Sequence, residues 1–83
     1  MSYAEEIGPL RDGIDRFNEE ILEKISGRVE VALKIGEVKK RHGMPVVDRA
    51  REEAVLDRVG GLAANRGLDP EGARRGFREI IDL

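Results

Sequence analysis

Residues 4–41 read AEEIGPLRDGIDRFNEEILEKISGRVEVALKIGEVKKR. Ile7, Leu10, Ile14, Phe17 and Ile21 recur three or four residues apart, and Ile25, Val29, Ala32, Ile35 and Val38 carry the series on. That is the period of one face of an α-helix and not the alternation of a strand. Glu20/Lys24, Glu30/Lys34 and Glu37/Arg41 each set an acid four residues before a base, an order that supports an exposed helical face. Gly13, Gly27 and Gly36 lie inside this helix. Each costs on the order of 1 kcal/mol against Ala, so tertiary contacts must hold it. His42-Gly43-Met44-Pro45 ends it, because Gly43 can take the left-handed position past a helix end and Pro45 cannot continue one. His42, the only histidine, reads as a basic residue at a helix C-terminus in preference to a catalytic one.

Outward from that stretch, Asp48 suits the N-cap of a second helix over about 48–66, with Ala54, Val55, Leu56, Val59, Leu62 and Ala63 as its apolar residues. Gly60-Gly61 weakens its middle, and Asn65-Arg66-Gly67 reads as its stop. Asp69-Pro70 reads as the N-cap and first residue of a third helix over about 70–83, carrying Ala73, Phe77, Ile80 and Ile81. The fold class is therefore all-α, with three helices, one very long. A helix of about 38 residues runs about 57 Å at 1.5 Å per residue, against a radius of gyration of about 12 Å for a compact domain of this length. Two shorter helices cannot cover its stripe, so a second copy must, most simply in an intertwined two-fold homodimer.

Composition narrows the classes. The 83 residues make one domain with a marginal core. There is no Cys, hence no disulfide or thiolate metal site, which suits a reducing cytosol. The acidic start, Met1 to Glu6, lacks the apolar region of a signal peptide, and no apolar run is long enough for a bilayer. The expectation is a cytoplasmic protein without a membrane partner. Charged residues are 39% of the chain, yet the net charge is only -2 and the pI is about 5.4. That balance argues against nucleic acid as a partner, and the first helix is too long for a DNA-recognition unit. Arg74-Arg75-Arg78, the one basic patch, reads as a solvated helix face before it reads as a phosphate site.

At about 100° per residue, Arg28, Ile35 and Lys39 share a stripe about 40° wide. Two cations there interrupt an otherwise apolar face, which is expensive unless they are paired or used. Asp48, Arg51, Glu52, Val55 and Val59 share a face of the second helix, and a short loop makes the first two helices antiparallel neighbours. Asp48 and Glu52 can then lie near Lys39. On spacing alone the simpler reading is a structural ion-pair cluster with Asp48 as N-cap. Acid–base catalysis by the two carboxylates is the weaker one, because a helix start favours ionised acids.

Taken together, Leu10-Arg11-Asp12-Gly13-Ile14-Asp15, Arg28, Lys39 and Pro45-Val46-Val47-Asp48-Arg49-Ala50-Arg51-Glu52 resemble the all-helical class of chorismate mutase, of the free-standing bacterial or archaeal type. The resemblance spans nearly the whole chain, and its specificity lies in the combined order and spacing. It implies the rearrangement of chorismate to prephenate on the way to Phe and Tyr, a unimolecular pericyclic shift that needs no nucleophile, metal or cofactor. Fixed cations and donors that hold the compact conformer and stabilise the ether oxygen suffice.

The resemblance also implies roles. Arg28 would bind a carboxylate, and Lys39 a carboxylate and the ether oxygen. Glu52 and the backbone near Asp48 would hold the ring hydroxyl, and Arg51 would orient or supplement the carboxylate site. Ile35, Val55 and Ile81 would form apolar walls, and Arg11 would come from the other subunit. Helix geometry supports the last role independently. Arg11 lies about 25 Å along the helix from Arg28 and about 100° around it, too far for both to grip one small dianion unless they come from different chains. One departure stands out. The family carries a glutamine or glutamate about two turns beyond Ile81, often preceded by a small hydroxyl residue, and Leu83 comes first. The expectation is a sequence truncated at its C-terminus, or a site without its second donor to the ether oxygen. Two alternatives remain open: an isochorismate-pyruvate lyase on the same fold, and a non-catalytic helical dimerisation or regulatory module.

Overall fold

A computed structural model describes residues 1–83. The chain is all-α, with three helices in the order α1 (Tyr3–Arg41), α2 (Arg49–Asn65) and α3 (Pro70–Ile81). It divides into two compact units, Met1–Lys34 and Ile35–Leu83. No helix is long and apolar enough to cross a membrane.

The first unit contains only α1. The helix starts at Tyr3, one residue before the stretch read from the sequence, because Ser2 caps it. The Glu5 amide donates to Ser2 Oγ at 3.2 Å, and the Ser2 hydroxyl donates to Glu5 Oε1 at 3.0 Å. Ser2-x-x-Glu5 is a capping-box spacing. Pro9 sits inside the helix, where it has no N–H to give the carbonyl four residues back. No residue of α1 is buried. Leu10 is 67% exposed, Phe17 63% and Ile21 53%. The acid–base pairs Glu20/Lys24, Glu30/Lys34 and Glu37/Arg41 do not close, since the three ion pairs of the chain all join residues of α2 and α3. Such surface pairs contribute at most about 1 kcal/mol, so α1 loses little by their absence, and none of its side chains is fully buried within the chain.

The second unit holds the last turns of α1, the loop after it, and the α2–α3 hairpin. Gly43 takes φ +66°. Its amide donates to the Lys40 carbonyl at 3.2 Å, and the Met44 amide donates to the Lys39 carbonyl at 2.8 Å. This is the paired closure that uses up the last carbonyls of a helix. The same pattern ends α2, with Gly67 and Leu68 donating to Ala64 and Ala63. Asp48 caps α2, its carboxylate accepting from the Arg51 amide at 3.0 Å. Asp69 caps α3 through the Gly72 amide at 3.1 Å, with Pro70 in the first turn.

The core is small. Leu56, Gly60 and Ala63 line the buried face of α2, at the i, i+4, i+7 spacing of one helical stripe. The Gly60-Gly61 pair does not interrupt α2. Gly60 lets α3 approach, because a Cβ there would stand 3.3 Å from Arg74 Cδ. The basic cluster resolves into ties between helices. Arg74 reaches Asp57 at 2.8 Å, Arg78 lies 3.7 Å from Glu53, and Arg75 is exposed.

Candidate functional site

Each candidate side chain has a definite local setting. In the first unit, Arg28 is half-buried and in no ion pair. Arg11 is exposed, and its Nη2 donates to the Tyr3 hydroxyl at a long 3.4 Å. Both cations are thus free of carboxylate partners.

In the second unit, Lys39 is half-buried near the C-terminal end of α1. Its Nζ donates to the Val46 carbonyl at 3.0 Å. The ion-pair cluster considered for Lys39 with Asp48 and Glu52 does not form. Asp48 instead spends its carboxylate on capping α2, and its carbonyl accepts from the Glu52 amide at 3.0 Å. Glu52 is half-buried, and its carboxylate has no protein partner. Lys39 Nζ and the Asp48 cap are therefore tied to one loop, residues 42–48, with Glu52 one turn into the helix that follows.

An open cavity of about 520 Å³ lies between α2 and α3, lined by Glu52, Leu56 and Ile81 together with Arg49, Glu53, Arg78, Glu79 and Asp82. Glu52 and Ile81 are thus brought together. Lys39, Asp48, Arg51, Val55 and Ile35 do not line this cavity. Val55 is half-buried, whereas Arg51 and Ile35 are exposed, Ile35 by 50%. Arg49 and Arg78 are cavity residues that the sequence reading did not assign to the site. The available signal was spacing: Arg49 precedes Glu52 by three residues and Arg78 precedes Ile81 by three, so each shares a helix face with a residue that was chosen. No group of three His, Cys, Asp or Glu side chains is arranged to hold a metal ion.

The second unit therefore offers a half-buried lysine ammonium and a carboxylate without a protein partner, and the first unit carries two arginines outside any ion pair. Groups of these kinds can bind carboxylates and hydroxyl groups and can stabilise negative charge that develops on an oxygen.

Comparison with known proteins identifies the family. A family described as chorismate mutase type II matches residues 10–83. A 4-amino-4-deoxychorismate mutase of Streptomyces venezuelae is 32% identical over 69 residues, covering 83% of this chain and 67% of that protein. A chorismate mutase of Methanocaldococcus jannaschii is 28% identical over 78 residues, covering 94% of this chain and 79% of that protein. A bifunctional chorismate mutase/prephenate dehydratase of Aquifex aeolicus is 36% identical over 82 residues, covering 93% of this chain but 22% of that protein. The chain thus spans most of its shorter relatives and about a fifth of the two-activity one. This all-helical chain belongs to the chorismate mutase type II family.

Proposed function

We propose that two copies of this chain form an intertwined dimer that converts chorismate to prephenate at two sites, each built from both chains. The reaction is the one the family is named for. The observation that carries the site assignment is the half-buried Lys39, whose ammonium meets a main-chain carbonyl and no carboxylate.

Chorismate carries two carboxylates, a ring hydroxyl and an ether linkage. In the rearrangement the ether C–O bond breaks while a C–C bond forms, and no proton is transferred. The substrate must be folded into its compact conformer, a gain that positioned groups supply by removing the freedom to extend. Negative charge grows on the ether oxygen, and fixed donors stabilise it more in the transition state than in the ground state. In this reading Arg28 and the partner chain's Arg11 bind the carboxylates, with Arg51 supplementing them. Lys39 donates to a carboxylate and to the ether oxygen. Glu52 accepts from the ring hydroxyl beside the Asp48 backbone, and Ile35, Val55 and Ile81 wall the ring.

The dimer rests on α1. The first unit is a lone helix with its apolar stripe in solvent, and an unpartnered helix depends on packing of that stripe. An antiparallel copy supplies it and brings Arg11 of one chain toward Arg28 of the other.

The test is loss of chorismate absorbance with identification of prephenate as product. Isochorismate serves as the lyase control. Glu52 would also accept from the amino group of 4-amino-4-deoxychorismate, the compound named in the Streptomyces relatives, so that compound forms a third arm. No turnover of chorismate by dimeric protein would overturn the assignment.

A further inference from the structure

Lys39 is fastened to the α1–α2 loop twice. Its carbonyl accepts from the Met44 amide at 2.8 Å, and its Nζ donates to the Val46 carbonyl at 3.0 Å. Immediately before them in the loop stands Gly43, at φ +66° with its amide on the Lys40 carbonyl. The first anchor exists only because the backbone turns left-handed at Gly43, a conformation that side chains with a Cβ disfavour. The second is made three residues past that turn, at the Val46 carbonyl.

We infer that Gly43 is a positioning residue, and that the turn it makes uses the Val46 carbonyl to aim the Lys39 ammonium at the substrate. This rests on the reading that Lys39 contacts chorismate. A lysine ammonium has three N–H donors and no acceptor. One goes to Val46, which fixes rotation about the last bond of a flexible four-carbon stem. The tetrahedral geometry at nitrogen then fixes the directions of the other two. Two is the number the proposed site requires, one for a carboxylate and one for the ether oxygen. A donor aimed before the reaction needs no reorganisation when charge develops. Asp48, capping α2 two residues beyond Val46, holds the far end of the same loop.

The full chain is compared with Gly43→Ala, Gly43→Asn, Lys39→Ala and the double variant Gly43→Ala/Lys39→Ala. Asn tolerates the left-handed conformation better than Ala does. The expected result is a fall in kcat of about 10- to 100-fold for Gly43→Ala, with KM moving far less, and recovery of most of that loss in Gly43→Asn. In the Lys39→Ala background Gly43→Ala should have no further effect, whereas a merely structural role would leave its effect intact. NMR of the unaltered chain gives an independent reading. Lys39 Nζ should show a slowly exchanging ammonium signal coupled across the hydrogen bond to the Val46 carbonyl carbon, before substrate is added. That measurement decides the matter even if Gly43→Ala does not fold. An averaged Lys39 signal, or unchanged kcat in Gly43→Ala beside a Lys39→Ala chain whose kcat is strongly reduced but measurable, overturns the inference. Full activity in Lys39→Ala overturns the reading of the site itself.

Discussion

Arg74 lies across Gly60, with its Cδ 3.3 Å from where a Cβ at Gly60 would stand. The same side chain goes on to Asp57 at 2.8 Å, so a single arginine fills the notch in α2 and closes the hairpin. Gly61, the next residue, has nothing within 4 Å of its own Cβ position. The two neighbours should therefore respond in opposite directions. Gly61→Ala should stabilise by about 0.5–1 kcal/mol, since Ala is the better helix former. Gly60→Val should destabilise by about 1–3 kcal/mol, because the added methyls displace Arg74. Thermal unfolding of both variants, followed by circular dichroism, checks the pair; a Gly60→Val protein as stable as the parent would refute the packing role.

Assembly gives the second expectation. An exposed stripe containing Leu10, Ile14, Phe17 and Ile21 needs a partner, and a dimer that folds only when associated has a Tm that rises with protein concentration. Size exclusion coupled to light scattering should return twice the chain mass of 9.3 kDa. Phe17→Asp should lower helicity together with association, because it puts a charge into the paired face. A folded species of single-chain mass would end this account.

Much of the fold was open to sequence reading because helices announce themselves by spacing. The apolar period of α1, Gly43 at its end, and the caps Asp48 and Asp69 all depend on local chemistry. What escaped was tertiary or easily overlooked. Ser2-x-x-Glu5 is a capping signal that precedes the apolar run, so a reading built on apolar residues starts the helix late. Gly60 looked like a weakness because its value lies in Arg74, 14 residues away in sequence. Lys39 illustrates the same limit at the site. Its charge and face were legible, but charge alone favoured carboxylate partners, and a main-chain carbonyl carries no sequence signal. Arg78 was grouped with Arg74 as solvated surface, although it borders the cavity that Glu52 and Ile81 share.

Asp48 separates capping from charge. Its side chain accepts from the Arg51 amide, which an asparagine oxygen can do equally well. Asp48→Asn should therefore keep both stability and turnover. Asp48→Ala should cost about 1 kcal/mol of stability and lower turnover as the loop that holds Lys39 loosens. Unfolding curves and steady-state kinetics on the two variants test this. Loss of activity in a stable Asp48→Asn protein would mean that the carboxylate acts on the substrate directly.

The last expectation concerns which chain supplies which cation. Arg11 and Arg28 both lie on α1, and neither meets a carboxylate. Along one helix they are separated by about 25 Å and about 100°, beyond the span of a molecule the size of chorismate. In the antiparallel dimer proposed above, Arg11 of one chain would come to Arg28 of the other. Arg11→Ala and Arg28→Ala chains should each be nearly inactive alone, because every site then lacks one carboxylate contact, and removing a charge-assisted hydrogen bond costs about 1.5–3 kcal/mol. Co-refolding the two should give heterodimers with one site that has both arginines and one that has neither. Activity should return in part, reaching at most half that of the unaltered dimer per heterodimer formed. Differently tagged chains allow the heterodimer to be isolated by sequential affinity steps before assay, so failure to mix is distinguished from failure to work. If each site instead used both arginines from one chain, every site in the heterodimer would still lack one of them. A purified heterodimer as inactive as its parents would then rule out the shared site, while leaving the dimer and the helical fold intact.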